Sequence, residues 1–123
     1  MKITDQIKSF EDACKMHPPT PEQQKALDSG YEPAITTTQL DIIAKALKTN
    51  PDTGEVSKLD LKSGKARWFP VFNVMNGFSF FRSFGSDTGT SVGSRHEFET
   101  EELSDYFGTQ FLEIHKAHKT IQQ

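Results

Sequence analysis

Nineteen residues near the middle of the chain, Arg67-Trp68-Phe69-Pro70-Val71-Phe72-Asn73-Val74-Met75-Asn76-Gly77-Phe78-Ser79-Phe80-Phe81-Arg82-Ser83-Phe84-Gly85, hold six of its ten Phe and its only Trp. Two runs rich in β-formers flank an Asn-Gly pair, which supplies the positive φ angles of a tight type I′ turn. The pattern predicts a β-hairpin. Pro70 lacks an N–H and so predicts an edge position or a bulge in the first arm. Apolar residues fall on both faces of each arm, where a sheet with one solvated face would alternate more strictly.

Around the hairpin the apolar spacing turns helical. Ile3, Ile7, Phe10 and Cys14 predict a helix over residues 4–16, ended by Pro18 and Pro19. Thr20-Pro21-Glu22-Gln23 has the form of a capping box with Pro in the first turn, and opens a short second helix. Leu40, Ile43, Ala44 and Leu47 predict a third, with Ile42 on the edge of the stripe and its cap among Thr36 to Thr38. Asn50-Pro51-Asp52-Thr53-Gly54 closes it. The pattern over residues 55–66 fits an edge strand or an ordered loop. Residues 92–98 read as a third strand. Thr100 caps a last helix over 100–119, with Glu101 and Glu102 in its first turn and the stripe Leu103, Phe107, Phe111 and Ile114 facing the hairpin. The expected architecture is a single α+β domain over residues 1–123: 1–50 mainly helical, 55–98 an aromatic antiparallel sheet, and 100–119 a covering helix.

Composition narrows the functional classes. At 123 residues the chain is long enough for one modest core. Its net charge of −3 argues against wholesale nucleic-acid affinity, but the charge is uneven. Residues 58–96 carry six Lys or Arg against two acids, so the basic share coincides with the aromatic centre. Cys14 is the single cysteine, which excludes an intrachain disulfide and suits a reducing interior. The opening residues lead into an acidic amphipathic segment rather than an apolar run, so neither a secretory signal nor a membrane partner is expected, and a cytoplasmic setting is.

The block from Trp68 to Phe111 also resembles a family of small proteins encoded by phages and prophages of Bacteroidetes bacteria. The shared features are Phe69-Pro70-Val71-Phe72, the Gly77-Phe78 strand, Val92-Gly93-Ser94-Arg95 with Phe98 three residues later, and the helix Glu102-Leu103-Ser104-Asp105-Tyr106-Phe107-Gly108-Thr109-Gln110-Phe111. The chain departs from that pattern at His96-Glu97, where an apolar or Cys-containing pair is usual. The resemblance implies a phage-associated origin, with a role in the virion, in DNA handling or in host takeover.

Arg67, Arg82, Arg95 and Lys65, with Trp68 among them, form the candidate macromolecule-binding set: cations for phosphates and an aromatic on which a base can stack. The expected partner is nucleic acid or a host or phage protein, and the alternative is a part of the virion. His115 and His118, at i and i+3, are close enough to share a metal, yet a solvated helix terminus explains them better. Cys14 lies on an apolar stripe and reads as a small buried hydrophobe. Val92-Gly93-Ser94-Arg95 lacks the spacing and lysine of a P-loop. No arrangement of nucleophile, base and acid stands apart, so no enzyme, metal or cofactor is expected.

Overall fold

The structure, a computed structural model, describes residues 2–57, 67–75, 77–86 and 96–121. Among these the elements run α1 (Ile3–Gln6), α2 (Phe10–Met16), α3 (Pro21–Leu27), α4 (Glu32–Leu47), β1 (Arg67–Asn73), β2 (Ser79–Ser86), α5 (Glu101–Gln110) and α6 (Leu112–Ile121). The two strands pair antiparallel and pack against helices, which is the expected small α+β fold.

The central helix is α4. Leu40, Ile42, Ile43, Ala44, Ala46 and Leu47 are all buried on it, and α1, α2, α3, α5 and α6 pack around it. It starts earlier than its Thr run suggests. Pro33 sits in the first turn, where its missing N–H costs nothing, and no side chain caps Tyr31. Thr36, expected near the cap, instead lies inside the helix and donates its hydroxyl proton to the Glu32 carbonyl at 3.1 Å. The α3 capping box forms as read: Thr20 and Gln23 exchange side-chain-to-backbone bonds of 3.0 and 3.1 Å. Thr100 caps α5 by accepting from the Leu103 N–H at 3.2 Å.

Two expected helices are broken, the first beside long-range bonds and the second beside a bond within the C-terminal segment itself. The helix over 4–16 divides at Ile7, which is extended. The Tyr106 hydroxyl donates to the Ile7 carbonyl at 2.6 Å, Gln110 donates to the Lys8 carbonyl at 2.9 Å, and Ser9 caps α2. The last helix divides at Phe111, whose φ of −109° and ψ of 30° leave the helical region. There the Phe107 carbonyl accepts from His115 Nε2 at 3.1 Å.

In the hairpin the register runs from Arg67↔Ser86 to Asn73↔Ser79, with a slip between Val71 and Phe72 that leaves Phe81 as the extra residue of a β-bulge. The last pair of the strand ladder is Asn73↔Ser79, with an isolated Met75↔Gly77 bridge beyond it, so the ladder stops short of the expected two-residue turn. Asn73 Oδ1 takes the Met75 N–H at 3.0 Å and Gly77 adopts a φ of +99°, while Asn76 lies outside the described residues. Trp68 exchanges two 2.8 Å backbone bonds with Phe98 on the side away from β2. Two residues on, Pro70 turns its nitrogen to that same outer side, so it removes no β1–β2 bond. Of the expected third strand, residues 92–98, Phe98 makes only the bridge to Trp68, His96 lies in a turn and Glu97 is not strand, and residues 92–95 fall outside the described residues, as does most of 55–66; Val56 makes a single bridge to Thr49.

The hairpin does not rest on the Phe stripe of the last helix as expected. It rests on small residues of α5. Ser83 donates to Ser104 at 2.7 Å with both buried, and a Cβ at Gly108 would stand 2.7 Å from the Phe80 ring and 2.9 Å from Pro70 Cβ. Phe107 turns instead to Phe98 and the α4 core, with Phe98 and Phe107 rings 5.1 Å apart. Among the described residues no helix is long and apolar enough to cross a membrane.

Candidate functional site

The hairpin separates the candidate residues by the alternation of the strand. Trp68, Pro70, Ser83 and Gly85 share the face that meets α5. Trp68 lies across Gly85 so closely that a Cβ there would be 3.2 Å from its ring. Arg82 and Phe84 project from the opposite, open face. The Arg82 guanidinium stands 4.5 Å from the centre of the Phe84 ring. Phe81, displaced outward by the bulge, is 58% exposed, and its ring lies 6.4 Å from that of Phe84. Val74 and the 86%-exposed Met75 continue the apolar surface to the hairpin tip.

Arg67 is placed inside, at 6% exposure, with Nη1 3.4 Å from Glu97 Oε2. Its charge is committed to a buried carboxylate rather than offered to a phosphate. Arg95 and Lys65 lie outside the described residues. Of the three described residues of that set, Arg82 presents a cation on the open face, Arg67 is buried, and Trp68 is half-buried on the other face.

A second group of side chains converges where β1 meets α4 and α6. Here His115 and His118 are buried, and the solvated terminus expected for them is not what forms. His115 packs between Phe72 and Phe107, at ring separations of 4.7 and 4.5 Å. Burial first, then the neighbouring His96, push its imidazole down to about 3, with Lys119 and His118 acting in the same sense and the Phe107 bond opposing them. His115 is therefore neutral, and since Nε2 carries the proton given to Phe107, Nδ1 is a lone-pair acceptor. His118 Nδ1 meets the Thr36 hydroxyl at 3.0 Å; that hydroxyl already donates to Glu32, so the imidazole donates. Burial holds His118 below its ordinary value too. His96 Nε2 pairs with Asp41 Oδ1 at 2.9 Å.

These groups border a cleft of about 310 Å³, walled by Phe69, Pro70 and Phe72 of β1, by Leu40 of α4 and by Phe107, with Lys119 at its mouth. Among the described residues no three His, Cys, Asp or Glu side chains stand close enough to hold a metal ion. The spacing that could have exposed the cleft was present: Phe107, Phe111 and His115 recur every fourth residue, so the imidazole continues the apolar stripe.

Cys14 is half-buried, and burial followed by Glu11 push its thiol up, which makes it a poor nucleophile. A wider, open depression of about 680 Å³ lies between α1, the 49–57 loop and the start of α5. Ser57 and Glu99 hydrogen-bond at its edge. The fold and these two sites define a small α+β domain with one open aromatic face and one histidine-lined cleft. Comparison with known proteins finds no matching family model, no matching curated protein and no matching solved structure.

Proposed function

We propose that the chain is a non-enzymatic binding protein whose open hairpin face takes single-stranded nucleic acid. The observation that carries this reading is the grouping of Phe81, Arg82 and Phe84, exposed together at a bulge with the guanidinium over one ring. Exposed rings offer stacking platforms that every base can use, and a cation held beside them meets the intervening phosphate. The basic balance of residues 58–96 supports the same choice. The resemblance to phage and prophage proteins supports a setting in which nucleic acid is handled in a bacterial host.

The test is a fluorescence-anisotropy titration of labelled single-stranded and duplex oligonucleotides at low and moderate salt. Binding should be saturable, stronger for single strands, and weaker as salt rises. Phe81→Ala should cost about 1–3 kcal/mol, the usual worth of one stacked base. Arg82→Ala should reduce both affinity and salt dependence. Flat titrations at low salt would overturn the reading. They would favour a second one, an accessory part of a virion, which Val74 and Met75 support as an apolar tip suited to a neighbouring subunit. Self-association or co-purification with particles would then be the observation to seek.

A further inference from the structure

Helix α6 is held to the domain by imidazoles rather than by hydrocarbon. Among its described side chains the buried ones are His115 and His118, while Leu112, Ile114 and Ala117 are half-buried. The buried apolar core lies wholly outside it, from Ile7 and Ala13 through the α4 stripe to Phe98, Phe107 and Phe111. Each imidazole ties α6 to one of the two helices on which it packs. His115 gives its Nε2 proton to the Phe107 carbonyl of α5, across the break at Phe111, and His118 gives its Nδ1 proton to Thr36 of α4. Both bonds use nitrogens that already carry hydrogen, so protonation of the rings leaves them in place. What the site refuses is the charge. Phe72 of β1 and Phe107 of α5 face His115 with apolar rings, at 4.7 and 4.5 Å. The ionisable groups around the two imidazoles are His96, Lys119 and Asp41, with Glu97 on the cleft wall already paired to Arg67. Asp41 favours a charged His118 but is shared with His96 at 2.9 Å.

We propose that α6 is an acid-released arm: hinged at Phe111 and latched by two neutral imidazoles, it leaves α4 and α5 as a unit, ahead of the rest of the domain, when the latch takes up protons. Burial first, then His96, bring docked His115 down to about 3, and docked His118 is lowered too, chiefly by burial. In the released arm both rings return to their ordinary value of 6.5. Above pH 6.5 the latch is therefore at full strength, and it weakens as pH falls below that value. Release bares Leu40, Phe72 and Phe107 on the cleft wall, so acid exchanges a covering helix for an apolar surface. The device uses none of Phe81, Arg82 or Phe84, so it stands or falls apart from the open-face reading.

The experiment is native-state amide exchange on the full chain between pH 7 and pH 5, in low urea and with intrinsic rates divided out. Amides of residues 116–119 in α6 should exchange through a local opening that depends weakly on urea. Those of residues 40–47 in α4 should exchange through global unfolding, with its full urea dependence. His115 alone should raise the α6 opening equilibrium about 25-fold from pH 7 to pH 5, and His118 adds to that rise. His115→Gln combined with His118→Gln keeps a side-chain donor at each position without a titratable group, and should abolish the rise. If that double variant loosens α6 already at pH 7, the slope of the parent protein decides. An α6 opening that shares the urea dependence of α4 at every pH, one that does not move between pH 7 and pH 5, or one whose rise survives in the double variant would each overturn the proposal.

Discussion

Gly108 shows how far one atom governs the seating of the hairpin on α5. Alanine is ordinarily the better helix residue by up to about 1 kcal/mol. Here its methyl would stand 2.7 and 2.9 Å from the Phe80 ring and 2.9 Å from Pro70. Pro70 is rigid, so the ring cannot absorb the whole displacement. Overpacking of this kind costs about 1–3 kcal/mol and outweighs the propensity gain. Gly108→Ala should therefore lower the urea midpoint, whereas alanine at an exposed helix glycine would raise it. The two arginines of the hairpin divide in the same way. Arg67→Ala removes one partner of a buried ion pair with Glu97 and should destabilise by about 3 kcal/mol, the usual result of such a change. Arg82→Ala, at an exposed position, should stay within about 0.5 kcal/mol of the parent in the same unfolding assay. Nothing local to either arginine announces this difference. Both sit among aromatics, and what separates them is Glu97, thirty residues from Arg67 along the chain.

At the scale of elements, what was legible is what local chemistry decides. The hairpin arms, the Thr20 capping box, the Thr100 cap and the Asn50–Gly54 turn all follow from residues within a few positions of one another. The breaks at Ile7 and Phe111 do not: the first depends on Tyr106 and Gln110 reaching the Ile7 and Lys8 carbonyls from the far end of the chain, and the second on an imidazole eight residues on taking the Phe107 carbonyl. The α4 start was misplaced because three threonines in succession resemble a cap, while Pro33 is the residue that opens the helix. The cleft escaped for a related reason: His115 and His118 look like a cationic helix end until β1 is laid over them. The Ile7 break also sets a prediction. With four residues, α1 is far below the length at which a helix holds alone, and it depends on tertiary anchors. Tyr106→Phe removes the 2.6 Å bond to Ile7 and should cost about 1 kcal/mol. Amide exchange should quicken over residues 3–9 and remain unchanged in α4, which would mark a local release rather than global loosening.

At the scale of the whole molecule, the buried imidazoles couple stability to pH. His115 is the strongest case, since its value falls from 6.5 to about 3 on folding, through burial first and then His96, Lys119 and His118. His17 and His118 are lowered as well, both chiefly by burial. Above pH 6.5 these rings are neutral in the folded and unfolded chains alike, and their packing contributes in full. As pH falls below 6.5 the unfolded chain takes up protons that the folded chain refuses, so stability declines with pH. For His115 the decline continues until the folded value near 3 is reached and then stops. Each unit of pH in that window is worth about 1.4 kcal/mol per such ring, so His115 alone should remove about 2 kcal/mol between pH 7 and pH 5. Urea unfolding across that range should show the midpoint falling with acid while the slope m stays constant. His115→Leu, which fills the site between Phe72 and Phe107 with no titratable group, should flatten the profile over the same window. A parent profile that is flat from pH 7 to pH 5, or one that His115→Leu leaves unaltered, would place the acid sensitivity elsewhere.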